Sequence, residues 1–336
     1  MKKEIGSEFF TRGTPADAAP APGESYLLSG RTALHYILED IARCRPMRKA
    51  LLPAYCCETM IAPFEALGIE VQFYGVEADG AAYPYGNDAD VVLLIDYFGY
   101  VDPENSRIAL HEKQAGKTVI YDATHKIDGN EAVQRHADYW FCSYRKWLYC
   151  NCAKTVKRGG EFVNDKPQAP HERYIALRDS AAREKEAYLA GSINEKDGFL
   201  SGFAAAEQLL DADYQGYIGE MIDFDLPALV AKRRENAAHL IENLKNIPDI
   251  RLWRHAVGDG DTPMFVPILV EPSVRSNLRR ALIDARIYCP IHWPRPSCDG
   301  AESELYDREL SLVCDQRYDL TDMERIIHVI KDYFNR

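Results

Sequence analysis

The run Val91-Val92-Leu93-Leu94-Ile95 contains no polar residue. A strand that is apolar at every position has both faces buried, and that happens in the middle of a parallel sheet covered by helices on each side. An antiparallel sheet with one wet face would alternate instead. Neighbouring stretches keep the same rhythm. Lys49-Ala50-Leu51-Leu52-Pro53 reads as a strand, residues 59–67 as a helix stopped by Gly68, and residues 69–74 as the next strand. Thr118-Val119-Ile120-Tyr121 and Tyr139-Trp140-Phe141-Cys142 add two more buried strands. Strands alternating with helices predict an α/β fold: a large domain with a mostly parallel sheet flanked by helices.

The last two strands end in reactive groups. The first runs into Asp122, with His125 three residues later. The second runs into Ser143-Tyr144-Arg145-Lys146. Open α/β sheets bind ligands at the carboxyl ends of their strands. A lysine in such a pocket has its amine pKa lowered and forms Schiff bases. The plainer alternative is a solvated lysine at the end of a core strand, as most lysines are. A lysine, a carboxylate and a polar ring-contacting group together meet the needs of pyridoxal 5'-phosphate (PLP): covalent attachment, a partner for the pyridinium, and a contact to the ring or its phenolic oxygen. Ser29-Gly30-Arg31-Thr32 opens a further helix, whose bare amides and dipole make an anion site. A simple serine N-cap is the alternative there.

These stretches carry a family likeness. Ser29-Gly30-Arg31-Thr32-Ala33-Leu34, Leu52-Pro53-Ala54-Tyr55, Asp122-Ala123-Thr124-His125 and Ser143-Tyr144-Arg145-Lys146, in this order and spacing, resemble the fold-type-I PLP-dependent enzymes, and within them the DegT-like sugar aminotransferases. The likeness extends from about Tyr26 to the C-terminus. It implies a large PLP-binding domain over residues 1–225, with an irregular N-terminal lead-in. Residues 226–336 would then hold a linking helix and a small C-terminal α+β domain. It implies that Lys146 forms the Schiff base with PLP and then moves the substrate proton. Asp122 would hold the pyridinium charge. Gly30, Arg31, Thr32 and Ser143 would bind the phosphate, and Tyr55 or His125 would supply a ring contact. The implied reaction moves an amino group from an amino-acid donor to a keto acceptor, with a keto sugar nucleotide as the acceptor class. It implies a homodimer with active sites at the subunit boundary. Three features depart from the family pattern: Arg31 in the phosphate turn, Cys57 where an aromatic ring stacks, and Cys150-Asn151-Cys152-Ala153 in place of a glycine-rich segment. Two alternatives remain open, another PLP reaction of the lyase or desulfurase type and a PLP-binding regulator without turnover.

The other expectations are simpler. A net charge of −12 argues against a nucleic-acid partner. No signal-peptide core occurs at the start, and no apolar run nears the roughly 20 residues that span a bilayer, so a cytoplasmic protein is expected. Nine cysteines leave at least one unpaired, and none has zinc-site spacing, so no metal is expected. No dinucleotide fingerprint or P-loop is present. Lys126, Lys154 and Lys157 rival Lys146. Residues 178–189 read as an exposed helix, and Tyr174, Tyr188, Tyr214 and Tyr217 as cover for the sheet. Toward the C-terminus, Pro267 suggests an edge strand over 265–270. His292, Trp293, Arg295 and Arg317 sit at strand ends, where a substrate could meet them.

Overall fold

The computed structural model describes residues 4–16, 19–78, 80–167, 169–210 and 215–335. Tyr214 lies outside the described residues. Eight strands among them form one sheet, in the order Glu24–Leu27, Ala153–Lys157, Tyr139–Ser143, Thr118–Asp122, Val91–Ile95, Lys49–Pro53, Glu70–Glu77 and Gly80–Ala82. The five strands from Tyr139–Ser143 to Glu70–Glu77 run parallel, and antiparallel pairings close both ends. Val91–Ile95 is central and wholly buried. The register sets Ile95 beside Asp122 and Asp122 beside Phe141, so the reactive strand ends lie at one level.

A small C-terminal α+β domain packs against this layer. Its sheet has the order Arg251–Leu252, Phe265–Leu269, Glu309–Val313. Phe265–Leu269 is the middle strand, so Pro267 is not at an edge. The fold tolerates it because the Pro267 carbonyl, and with it the imino nitrogen, faces the Arg251 side. That neighbour is only two residues long and has ended by Leu252. Trp253 still donates its N–H to the Pro267 carbonyl, so the missing donor breaks no ladder bond.

The helix Leu226–Leu244 joins the two cores. It starts on an Asp225 N-cap with proline in its first turn. Leu229 packs with the large core, and Ala237, Leu240, Ile241 and Leu244 with the small one. The lead-in over residues 11–23 carries no helix or strand among its described residues, only single bridges at Arg12 and Pro15, and before it Ile5–Gly6 pairs in parallel with Ile287–Tyr288. The helix Glu172–Ala190 also departs from expectation. Tyr174, Arg178, Ala181, Ala182, Lys185 and Tyr188 are buried, because the helix packs on Asp197–Leu209. The charged residues of that face are paired or stacked. Arg178 lies over the rings of Tyr149, Tyr174 and Phe203 and reaches Glu207, while Lys185 binds Ser7 and the Glu8 carbonyl.

No helix among the described residues is long and apolar enough to cross a membrane. Nor does any group of three or more His, Cys, Asp or Glu residues among them gather as a metal site.

Candidate active site

The aligned strand ends open into a cavity with about 700 Å3 of empty space, its mouth included. Its walls come from four places: the carboxyl ends of the parallel strands, the start of the helix Gly30–Cys44, the start of the helix Glu58–Ala66 with Cys57 before it, and Met264 with the His292-Trp293 loop of the small domain.

Lys146 closes a short 3-10 turn, Tyr144–Lys146, directly after the strand. The turn is pinned on both sides. Tyr144 N–H donates to the Cys152 carbonyl at 3.0 Å, and Trp147 Nε1 donates to the Thr124 carbonyl at 2.7 Å. Arg233 stacks over the Trp147 ring at 4.3 Å. Lys146 is solvent-exposed and lines the cavity. Desolvation first and the Arg145 charge second push its pKa below the usual lysine value. The rival lysines are paired with carboxylates away from the cavity: Lys126 with Asp128 at 2.7 Å, Lys154 with Glu24 at 2.5 Å and Lys157 with Asp40 at 2.7 Å.

Asp122 and His125 share this cavity. Asp122 Oδ1 accepts the Thr124 N–H at 2.8 Å, and burial lifts its carboxyl pKa to about 6, against the Thr124 hydrogen bonds and the nearby Lys146 charge. Burial, helped by Lys146, drops His125 to about 3, so its imidazole is neutral. His125 Nδ1 accepts the Phe98 N–H at 3.2 Å, which leaves the ring proton on Nε2.

The cavity wall at the helix start suits an anion. A Cβ on Gly30 would stand 3.1 Å from the Ser143 Cβ and 3.5 Å from its Oγ, so helix start and serine are in close contact. The Ser143 hydroxyl is buried and has no hydrogen-bond partner. An unpaired buried hydroxyl costs stability unless a ligand satisfies it. Together with the helix amides and Arg31 it makes a donor set for a phosphate, so these residues fit that end of PLP. A carboxylate whose pKa is raised by burial fits the pyridinium end.

Two expected residues stand elsewhere. Thr32 lies outside the cavity lining; its hydroxyl is 2.8 Å from that of Ser29, which also caps the Thr32 N–H. Tyr55 is fully buried behind the wall among Tyr97, Trp293 and Tyr306. The cavity is lined instead by Cys57 and by Trp293, which stacks on His125 at 5.3 Å and 26°. Of the four small-domain residues, His292 and Trp293 line the cavity. Arg295 pairs with Asp307 at 3.0 Å, and Arg317 pairs with Asp315 at 2.8 Å while holding the Ser7 and Glu8 carbonyls. Thr124, Arg145 and Met264 were not singled out from the sequence, yet they line the cavity. The first two stand beside expected residues, and that adjacency was their one available signal. Arg145 is held by Glu207 and the Tyr174 hydroxyl.

No protein-family model and no curated protein matches the chain. Solved structures do. The chain is similar to the aminotransferase TlmJ from Streptoalloteichus hindustanus, with 17% identity, 93% of this chain and 86% of that one covered, and a TM-score of 0.64. Helicobacter pylori PseC, an aminotransferase involved in the biosynthesis of pseudoaminic acid, gives 16% identity, 93% and 86% coverage, and 0.64. NtdA from Bacillus subtilis with bound cofactor PMP gives 14% identity, 93% and 73% coverage, and 0.63. At these identities the likeness is one of fold, and the chain therefore has the fold of the fold-type-I PLP-dependent aminotransferases.

Proposed function

We propose that this chain is a PLP-dependent aminotransferase that moves an amino group from an amino-acid donor to a keto acceptor of the sugar-nucleotide class. One observation carries the reading: Lys146, Asp122, His125 and the unpartnered Ser143 hydroxyl converge on a single cavity. PLP, when bound, supplies an electron sink for negative charge at the substrate carbon. Lys146 Nζ is the point of covalent attachment, and once released it carries the proton at that carbon. Its depressed pKa suits both tasks, because the neutral amine is the reactive form. Asp122 pairs with the ring nitrogen. His125 Nε2–H serves as a fixed donor toward the phenolic oxygen. Ser143 Oγ, the Gly30 and Arg31 amides and the Arg31 side chain hold the phosphate. The sugar acceptor rests on the sequence resemblance and on the fold shared with DesI, solved in the presence of its TDP-sugar product. Protein loaded with PLP is expected to lose its visible cofactor absorbance on adding glutamate or glutamine and to regain it with a keto acid. A spectrum that stays fixed with donor in excess overturns the reading.

The proposed unit is a homodimer, with a division near residue 225 between the large and small domains. The phosphate carries two charges, and Arg31 is the cation among the anchors named here, so a partner loop adjacent to the site would complete it under twofold symmetry. Light scattering with PLP present is expected to report a dimer. A fully active monomer refutes it. Nine free cysteines, six of them buried, fit the reducing cytoplasm.

A further inference from the structure

Behind the cavity wall lies a carboxyl group with no place in the scheme above. Glu309 is fully buried and outside the cavity lining. Its Oε2 accepts the backbone N–H of His292 at 2.7 Å and the Tyr55 hydroxyl at 3.4 Å. Its Oε1 is 2.5 Å from Ser311 Oγ, and Ser311 Oγ is 3.0 Å from His292 Nδ1. His292 itself lines the cavity with Lys146 and His125. The result is an unbroken hydrogen-bonded chain from a buried acid to a cavity imidazole.

A hydroxyl has one proton to give, so the chain has two self-consistent states. With Glu309 ionised, Ser311 donates to Oε1 and accepts from His292 Nδ1–H. Nε2, the nitrogen left for the cavity, then carries a lone pair. With Glu309 protonated, Oε2 is already taken by two donors, so the proton sits on Oε1 and points at Ser311. Ser311 then donates to Nδ1, and the ring proton sits on Nε2. We propose that Glu309, Ser311 and His292 form a proton relay with its reservoir at Glu309 and its outlet at His292 Nε2. In one passage, Nε2–H goes to an acceptor in the cavity, the Ser311 proton moves to Nδ1, and the Glu309 proton moves to Ser311. One proton leaves Glu309, one arrives in the cavity, and the imidazole is neutral before and after.

The electrostatics favour this division of labour. Burial first, then His125 and Lys146, hold His292 well below its ordinary pKa, so an imidazolium is disfavoured. Burial raises Glu309 to about 8, while Ser311, the His292 amide, the Arg275 charge and Tyr55 pull it back. Cys289 also feels the Glu309 charge, and burial holds its thiol at about 12, so it stays neutral. Glu309 therefore keeps a releasable proton at neutral pH that His292 cannot store. His125 offers a contrast. Its Nδ1 is occupied by a backbone amide, so its tautomer is fixed. Under the aminotransferase reading, on which only the purpose of the relay rests, the outlet would serve a hydroxyl or ammonium of the bound substrate.

Nitrogen NMR of histidine-labelled full-length protein, with and without PLP, tests this between pH 6 and 10. The His292 proton is expected to move from Nε2 to Nδ1 with a midpoint near 8. Glu309→Gln keeps its carbonyl on the His292 amide and turns its NH2 to Ser311, so the ring should stay locked as the Nε2–H tautomer. Ser311→Ala should leave a tautomer that does not respond near pH 8, which provides the same test if the glutamine variant does not fold. An unchanging wild-type tautomer, or an unaltered midpoint in either variant, overturns the relay. A wild-type tautomer change that both variants lose, in protein that no amino donor affects, supports the relay and refutes the aminotransferase reading alone.

Discussion

Lys146→Ala is expected to lower amino transfer by at least ~10^3-fold, within the roughly 10^2 to 10^4 that positioned proton transfer contributes, with loss of covalent catalysis added to it. The fold should survive. The turn that carries Lys146 is held by backbone bonds at Tyr144, by the Trp147 indole on Thr124 and by Gln316 on the Trp147 carbonyl, none of which uses the lysine side chain. PLP should still bind through the phosphate and ring contacts, so the variant separates attachment from affinity. Borohydride treatment followed by peptide mapping should label Lys146 in the wild type and no lysine in the variant. Label on Lys126, Lys154 or Lys157, or turnover close to wild type, would sink the assignment.

Asp122→Asn is expected to cut turnover by a comparable factor while making the cofactor-free protein more stable. The folded carboxyl value of about 6 stands above the ordinary 3.8. Between those two pH values the folded state binds a proton that the unfolded state does not. Stability therefore falls as pH rises through that window and stays lower above it. The cost at pH 7 is roughly 3 kcal/mol before a cation arrives. Asparagine removes the slope and the cost together. A bound pyridinium reverses the balance, because breaking one side of a buried ion pair costs roughly 3–5 kcal/mol. Urea melts at pH 5 and 7, with and without PLP, should thus show the variant ahead when empty and the wild type gaining more from the cofactor. An asparagine variant that transaminates at the wild-type rate would remove Asp122 from its proposed role.

What could be read from residues alone was whatever local pattern determines. Val91–Ile95 is apolar at every position, and it is the central strand. Asp122, Ser143 and Lys146 follow buried strands, so parallel register was enough to bring them to one level. The misses share a different cause. Tyr55 stands in the expected loop, but its surroundings come from Trp293 and Tyr306, far along the chain. Pro267 follows the rule for prolines in strands, yet the rule works through the length of the neighbour, which nothing near Pro267 encodes. Arg178 and Lys185 read as solvated because charge usually is. Their burial depends on Glu207, aromatic rings and the Ser7-Glu8 backbone arriving from elsewhere. His292 was within reach as a strand-end residue, but its link to Glu309 depends on a sheet register in the small domain that local pattern does not specify.

The pairing of Ile5–Gly6 with Ile287–Tyr288 also has a mechanical meaning. The Gly6 amide donates to the Tyr318 hydroxyl at 2.8 Å, Arg317 donates to the Ser7 and Glu8 carbonyls, and Lys185 of the large domain donates to the Ser7 hydroxyl and the Glu8 carbonyl. The strand is one of several ties between the two domains. Beside it and the helix Leu226–Leu244, the Thr262 and Met264 N–H groups donate to the Gly99 and Phe98 carbonyls at 2.8 and 2.7 Å, Ser303 Oγ donates to the Val76 carbonyl at 2.6 Å, and Gln316 donates to the Trp147 carbonyl at 2.7 Å. His292 and Trp293 ride on the body these bonds hold, so the ties that fasten the small domain also set both rings against the cavity that holds Lys146.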